Sequence, residues 1–223
     1  MSSLVVFDLD GTLIDTAHDL VASLNHTIGL KGLEPVTYDD LTYLVGHGGL
    51  VMIKRAFALR GRDISDGELN DMLGVFVEHY GNAMPGVSVP YPGLIGAMDR
   101  LSDAGYRLAV CTNKLEGLAR RLIDGLGLTA RFAAITGGDT FAVRKPDAEH
   151  LLGTVRLAEA DPRRTVMIGD SLNDMLVARN ADVPSIGVPF GYSDVPIADL
   201  EPSHIITHFD ELTPELVEHL LAR

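Results

Sequence analysis

Apolar residues in this chain follow two different rhythms. Residues 4–7 form a short unbroken apolar run, the pattern of a strand buried on both faces. From Asp15 to about Asn82 the spacing becomes helical. Leu20, Val21, Leu24 and Ile28 share one face, and Leu41, Leu44 and Val45 a second. Leu50, Ile53 and Phe57 suggest a third helix, and Leu69, Met72, Leu73, Phe76, Val77 and Tyr80 stripe a fourth. Thr16-x-x-Asp19 and Thr37-x-x-Asp40 resemble capping boxes ahead of the first two. Gly46-His47-Gly48-Gly49 separates the second helix from the third, and no strand is expected in this stretch. A segment rich in proline and glycine, near 84–93, then returns the chain to strand–helix alternation. Strands are expected near 107–111, 133–136, 165–168 and 185–188, with a minor one near 204–206 and a closing helix over 213–221.

Strands separated by helices imply a parallel sheet with right-handed crossovers. The fold class is therefore α/β, with a core of residues 1–14 and 86–223 interrupted after its first strand by a helical module, 15–85. Hinge segments are expected near 13–16 and 84–93. The insertion begins beside the richest motif of the chain, so a lid over the carboxyl edge of the sheet is the expected arrangement.

That motif is one of four that follow apolar runs. Asp8-Leu9-Asp10-Gly11-Thr12 follows the first strand, and Thr112-Asn113 follows the second. Lys145-Pro146 stands in a loop after a third apolar stretch. Gly169-Asp170, with Asp174 four residues on, follows a fourth. Ligands of parallel α/β sheets bind outside the carboxyl ends of the strands. Asp8 and Asp10 are two apart and point the same way from a strand end. Carboxylates that close repel, so one protonates or a cation bridges them. Asp170 adds more negative charge, and a hard divalent ion such as Mg2+ with oxygen ligands resolves the conflict.

Gly11-Thr12 offers backbone that an anion could approach, Thr112 and Asn113 offer a hydroxyl and an amide, and Lys145 a positive charge. The neighbouring Lys114 reads as a solvated charge at a helix start. Phosphoryl transfer to a carboxylate suits this set. One aspartate attacks phosphorus; the other protonates the leaving alcohol and then activates water. Phosphate monoesters hydrolyse so slowly unaided that catalysis reaches about 10²¹-fold, which calls for several charged groups placed together.

The net charge of −13 argues against nucleic acid and anionic membranes as partners, while leaving a small anionic ester possible inside a cationic cleft. Hydrophobic residues at 46% allow a substantial core. The single cysteine, Cys111, precludes an intramolecular disulfide and reads as a small buried hydrophobe. The first strand starts almost at Met1 and no apolar run approaches a membrane span, so neither leader nor anchor is expected and the cytoplasm is the default compartment. Monomer and homodimer are both open.

In order and spacing the four motifs resemble those of the haloacid dehalogenase superfamily over essentially the whole chain: DLDGT at 8–12, TN at 112–113, KP at 145–146 and GDSLND at 169–174. The resemblance implies a Rossmann-like parallel-sheet core with an inserted α-helical cap. It also implies roles. Asp8 would be the nucleophile and Asp10 the general acid/base. Asp8, the Asp10 carbonyl and Asp170 would hold Mg2+, with Asp174 supporting them. Gly11, Thr12, Thr112, Asn113 and Lys145 would bind phosphate. The second aspartate, Asp10, marks phosphatases rather than dehalogenases.

TNK at 112–114, GGDT at 137–140, RKPD at 144–147 and VGHGG at 45–49 look like the branch that acts on 2-phosphoglycolate. His47 either meets the distal end of the substrate or is a solvated loop residue. Arg55 is a candidate for a substrate carboxylate, although a surface charge is the usual fate of arginine. Tyr192 is expected to pack at the edge of the site. Asp182, where relatives often have glycine, and Ala148 and His150, where prolines are common, are expected to matter structurally. Other readings are a phosphosugar mutase on the same core, a hydrolase using a cap lysine (Lys31 or Lys54) as a Schiff base, and a receiver-like module phosphorylated on aspartate. Asp10 speaks against the last two.

Overall fold

The computed structural model describes residues 2–40, 44 and 48–222. Six strands form one parallel sheet in the spatial order Ala134–Thr136 (β5), Arg107–Cys111 (β4), Ser2–Phe7 (β1), Ala160–Gly169 (β6), Ser185–Gly187 (β7) and His204–Ile205 (β8). This is the α/β core that the alternation of strands and helices predicts. β1 is central, and Phe7 is level with Val110 on one side and Ile168 on the other. The segments that follow these strands therefore leave the sheet side by side at one edge. Asp8 continues the ladder by donating its N–H to the Ile168 carbonyl at 2.9 Å.

Side chains of β1 alternate between the two faces, and each face packs against its own helices. Val5 and Phe7 join Leu94, Met98 and Leu101 of Leu94–Asp103 (α4), Leu122 of Glu116–Gly125 (α5), and Val217 of Pro214–Leu221 (α8). Leu4 and Val6 join Leu151 and Val155 of Ala148–Leu157 (α6) and Val177 of Leu172–Asn180 (α7). Cys111 lies fully buried in the second cluster, and burial pushes its thiol up to about 11.

The stretch after β1 is helical, as its periodicity predicts: Ala17–Gly29 (α1), Gly49–Leu59 (α2) and Asp66–Ala83 (α3). Their stripes meet in a separate apolar cluster that includes Leu24, Ile28, Ile53, Phe76 and Tyr80. A fully buried leucine or isoleucine contributes about 2 kcal/mol by burial, so this module has a core of its own. The helix expected around Leu41, Leu44 and Val45 lies largely outside the described residues, as does His47.

Two local expectations change. A two-stranded antiparallel ribbon, Ile14–Asp15 (β2) with Val89–Pro90 (β3), ties the two hinge segments together. Strands of two residues carry no periodicity to read. Thr16 and Asp19 do not form a capping box. The Thr16 hydroxyl donates to Asp10 Oδ1 at 2.8 Å, and Asp19 accepts from Val87 N–H, Ser88 N–H and the Ser88 hydroxyl. Asp182 takes the left-handed conformation (φ 54°) where glycine is usual. Among the described residues no helix is long and apolar enough to cross a membrane.

Candidate active site

The carboxyl edge of β1, β4 and β6 gathers most of the residues the motifs single out. Asp8 follows β1, Thr112 and Asn113 follow β4, Asp170 follows β6, and Asp174 sits in the first turn of α7. Lys145 arrives from the loop before α6, and its peptide bond to Pro146 is cis. Lys145 is 3% exposed; its Nζ lies 2.8 Å from Asp8 Oδ1 and 2.5 Å from Asp174 Oδ1. The contact with Asp174 is a hydrogen bond. The one with Asp8 is an ion pair off hydrogen-bond alignment, and Asp8 Oδ1 is buried with no hydrogen bond.

Asp174 uses its other oxygen to cap α7, accepting from the Ser171 hydroxyl and N–H at 2.6 and 3.0 Å. A Cβ on Gly169 would overlap the Asp174 carboxyl group, so this position has room only for glycine. Asp170, 2% exposed, accepts from the Thr12 hydroxyl and the Tyr192 N–H, both at 2.8 Å.

Asp8, Asp170 and Asp174 each bring an oxygen within 4.8 Å of the others. With every group ionised, three carboxylates and one lysine would leave two negative charges in a largely buried place. Burial, with Asp174 and Asp10 adding to it and Lys145 opposing it, pushes Asp8 up to about 6. Burial and the Asp174 and Asp8 charges push Asp170 up to about 8. Burial alone would lower Lys145, but Asp174 and Asp8 more than reverse that and hold it above the ordinary lysine range. Hard oxygen donors, an Asp8 oxygen that accepts no hydrogen bond and carboxylates in excess of the one lysine fit a divalent cation.

Asp10 stands apart from that cluster. Lys114 Nζ lies 2.7 and 2.8 Å from its two oxygens, and the Thr16 hydroxyl adds a third bond. Lys114 is no solvated charge: it is 9% exposed and lies 4.5 Å from the centre of the Tyr80 ring, a cation over an aromatic face. Its partner Asp10 lies 104 positions away, so no local pattern reveals it.

A cavity of about 130 Å³ opens over this edge. On the core side it is lined by Asp8, Asp10, Thr112, Asn113, Lys114, Leu115, Leu118, Arg144 and Lys145. On the helical side it is lined by Leu20, Gly48, Gly49, Leu50, Met52, Leu73, Phe76, Val77 and Tyr80. Gly11 and Thr12, expected to face phosphate, serve the Asp170 carboxylate and do not line the cavity. Gly11 has φ 82°, and a Cβ there would lie 2.6 Å from Asp170 Oδ2. Arg55, expected to reach the substrate, is half-buried on α2 and also does not line it. Arg144 does; in the sequence it stands only as the first residue of the RKPD segment, with no role of its own.

Two further residues position the site. Tyr192 is buried. Its hydroxyl accepts from the Thr16 and Ala17 N–H groups at 2.8 and 3.0 Å and donates to Asp15 Oδ1 at 2.6 Å. Because its own N–H holds Asp170, Tyr192 joins the acid cluster to the start of α1. His150 is fully buried and accepts the Lys145 N–H on Nδ1 at 3.0 Å; burial and Lys145 lower its pKa to about 4, so it is neutral.

Sheet, helical insertion and acid–lysine edge together define the class: an α/β protein with a buried acid–lysine cluster and a cavity at the carboxyl edge of its sheet. Residues 5–188 match the haloacid dehalogenase-like hydrolase family, and the chain belongs to that family. It is 60% identical over 223 residues to a phosphoglycolate phosphatase of Agrobacterium fabrum, spanning 100% of this chain and 96% of that one. A phosphoglycolate phosphatase of Mesorhizobium japonicum is 50% identical over 218 residues, 98% of this chain and 96% of that one. Among solved structures, a predicted phosphoglycolate phosphatase from Haemophilus somnus 129PT superposes with a TM-score of 0.88 at 26% identity, covering 95% of this chain and 96% of that one.

Proposed function

We propose that this chain is a Mg2+-dependent phosphatase of the cytoplasm that converts 2-phosphoglycolate to glycolate and phosphate through an aspartyl-phosphate. The observation that carries the reaction type is the buried cluster of Asp8, Asp170, Asp174 and Lys145 beside a cavity. The choice of ester is supported by the likeness to phosphoglycolate phosphatases over nearly the full length of both chains.

Asp8, the backbone carbonyl of Asp10 and Asp170 would hold the cation, with Asp174 fixing Lys145 and the turn beneath. The cation would neutralise charge on the phosphoryl group as one anion approaches another. Asp8 attacks phosphorus and becomes phosphorylated, and the bond from phosphorus to the glycolate oxygen breaks. Lys145, Thr112 and Asn113 hold the phosphoryl oxygens. Asp10 gives a proton to the departing alkoxide, then takes one from the water that cleaves the acyl phosphate. Residues 15–85 act as a cap on the core of 1–14 and 86–223 and exclude bulk water when closed. Tyr192 and the β2–β3 ribbon mark where that motion is hinged.

Phosphate release from a panel of small esters, with Mg2+ and with EDTA, tests this reading. Turnover should be fastest with 2-phosphoglycolate, stop with EDTA and return with Mg2+. EDTA-resistant turnover contradicts the metal assignment. Conversion of a hexose 1-phosphate to its isomer without free phosphate favours the mutase instead.

A further inference from the structure

Among the described residues three cations line the cavity, and two are already matched. Lys145 lies between Asp8 and Asp174. Lys114 holds both oxygens of Asp10 and packs on Tyr80. The third, Arg144, is exposed, and its guanidinium makes no ion pair or hydrogen bond with the described residues. Across the cavity the helical wall offers Leu50, Met52, Leu73, Phe76 and Val77, which carry no charge. A ligand with a second anionic group therefore meets one uncompensated positive charge among the described lining residues.

We propose that Arg144 is the subsite for the carboxylate of the substrate and sets the preference for phosphate esters that carry a second anion. The assignment rests on the phosphatase reading above. The backbone next to Arg144 is held from three sides. Asn113 Nδ2 donates to the Lys145 carbonyl at 3.1 Å, His150 accepts the Lys145 N–H at 3.0 Å, and Asn180 Nδ2 donates to the Pro146 carbonyl at 2.8 Å. Arg144 thus has a fixed root and a movable fork beside the lysine that holds the phosphoryl group. A planar guanidinium takes a carboxylate through two parallel N–H bonds, geometry that a lysine lacks.

Steady-state kinetics of wild type, Arg144→Gln and Arg144→Lys on 2-phosphoglycolate and on ethyl phosphate, which lacks the carboxylate, test the assignment. Arg144→Gln should raise KM for 2-phosphoglycolate roughly tenfold or more, with kcat within about twofold, and leave KM for ethyl phosphate unchanged. Arg144→Lys should fall between. Equal effects on both esters, or none on either, overturn the Arg144 assignment. Titration with phosphonoacetate and with ethylphosphonate, read as heat, separates the two levels of the argument. Loss of the preference for phosphonoacetate in Arg144→Gln supports the subsite even if turnover fails. Wild type that hydrolyses neither ester contradicts the phosphatase reading alone, and wild type that binds both phosphonates equally contradicts the subsite.

Discussion

The two walls of the cavity differ in kind. The sheet side contributes Thr112, Asn113, Leu115 and Leu118 together with Arg144 and two locked ion-pair systems, Lys114 with Asp10 and Lys145 with Asp8. The helical wall contributes leucines, Met52, Val77 and the rings of Phe76 and Tyr80. On the proposed reading, the core wall acts on the phosphoryl group, and the helical wall excludes water and selects the rest of the ester. Substitutions on the core wall should act on kcat, and those on the cap wall mainly on KM and selectivity. Two residues depart from this division: Arg144, on the core wall but expected to act on KM, and Tyr80, whose ring lies on the lysine that holds Asp10 and so links the walls.

The largest expected effect is at Asp8. Asp8→Asn should lower turnover on the order of 10⁴-fold or more while the chain stays folded, as circular dichroism would report. Retained activity would remove the core wall from the chemistry. Lys145→Met comes next, with a loss of about 10²- to 10³-fold in kcat/KM, because it strips a buried cation from the attacking and phosphoryl oxygens. Equal rates in wild type and variant would mean Lys145 only balances Asp174.

Lys114→Met should cost about 10- to 100-fold in kcat by freeing Asp10, whereas Tyr80→Phe, which keeps the ring, should change it less than about twofold. A Tyr80→Phe loss as large as that of Lys114→Met would assign the effect to the hydroxyl instead of the ring face.

The smallest effect concerns stability. Asp8 and Asp170 hold protons more tightly in the folded chain than their ordinary value of 3.8 allows. Their contribution to folding is full below that value and is lost as pH rises through about 6 and about 8. Metal-free protein should therefore gain more in Tm from Mg2+ at pH 8 than at pH 5, and Asp170→Asn should flatten the difference. An equal Mg2+ effect at both pH values would contradict the charge inventory.

Much of this was legible in the sequence because the pieces are local. The apolar run before Asp8, the helical stripes through Tyr80 and the acids at strand ends are short patterns with one structural meaning. What was not legible depends on contacts between distant residues. Lys114 looks like any charge at a helix start until Asp10 and Tyr80 surround it. Thr16 and Asp19 have the spacing of a capping box, yet Tyr192, 176 positions on from Thr16, takes the amide that the cap would have served. Thr12 and Gly11 read as a phosphate cradle, and nothing local announces that the Thr12 hydroxyl reaches Asp170, 158 positions on. Arg55 is a candidate by residue type within a helical stretch, and helical periodicity gives a face but not a distance to a cavity.

The central claim is that Asp8 carries the phosphoryl group between two half-reactions. Rapid acid quenching of the enzyme during turnover of ³²P-labelled 2-phosphoglycolate, followed by peptide mapping, tests it directly. The account predicts label on the peptide containing Asp8, lost in Asp8→Asn and discharged by a chase of unlabelled substrate. Steady turnover with no labelled peptide, or label on Asp10 or Asp170 instead, would contradict it.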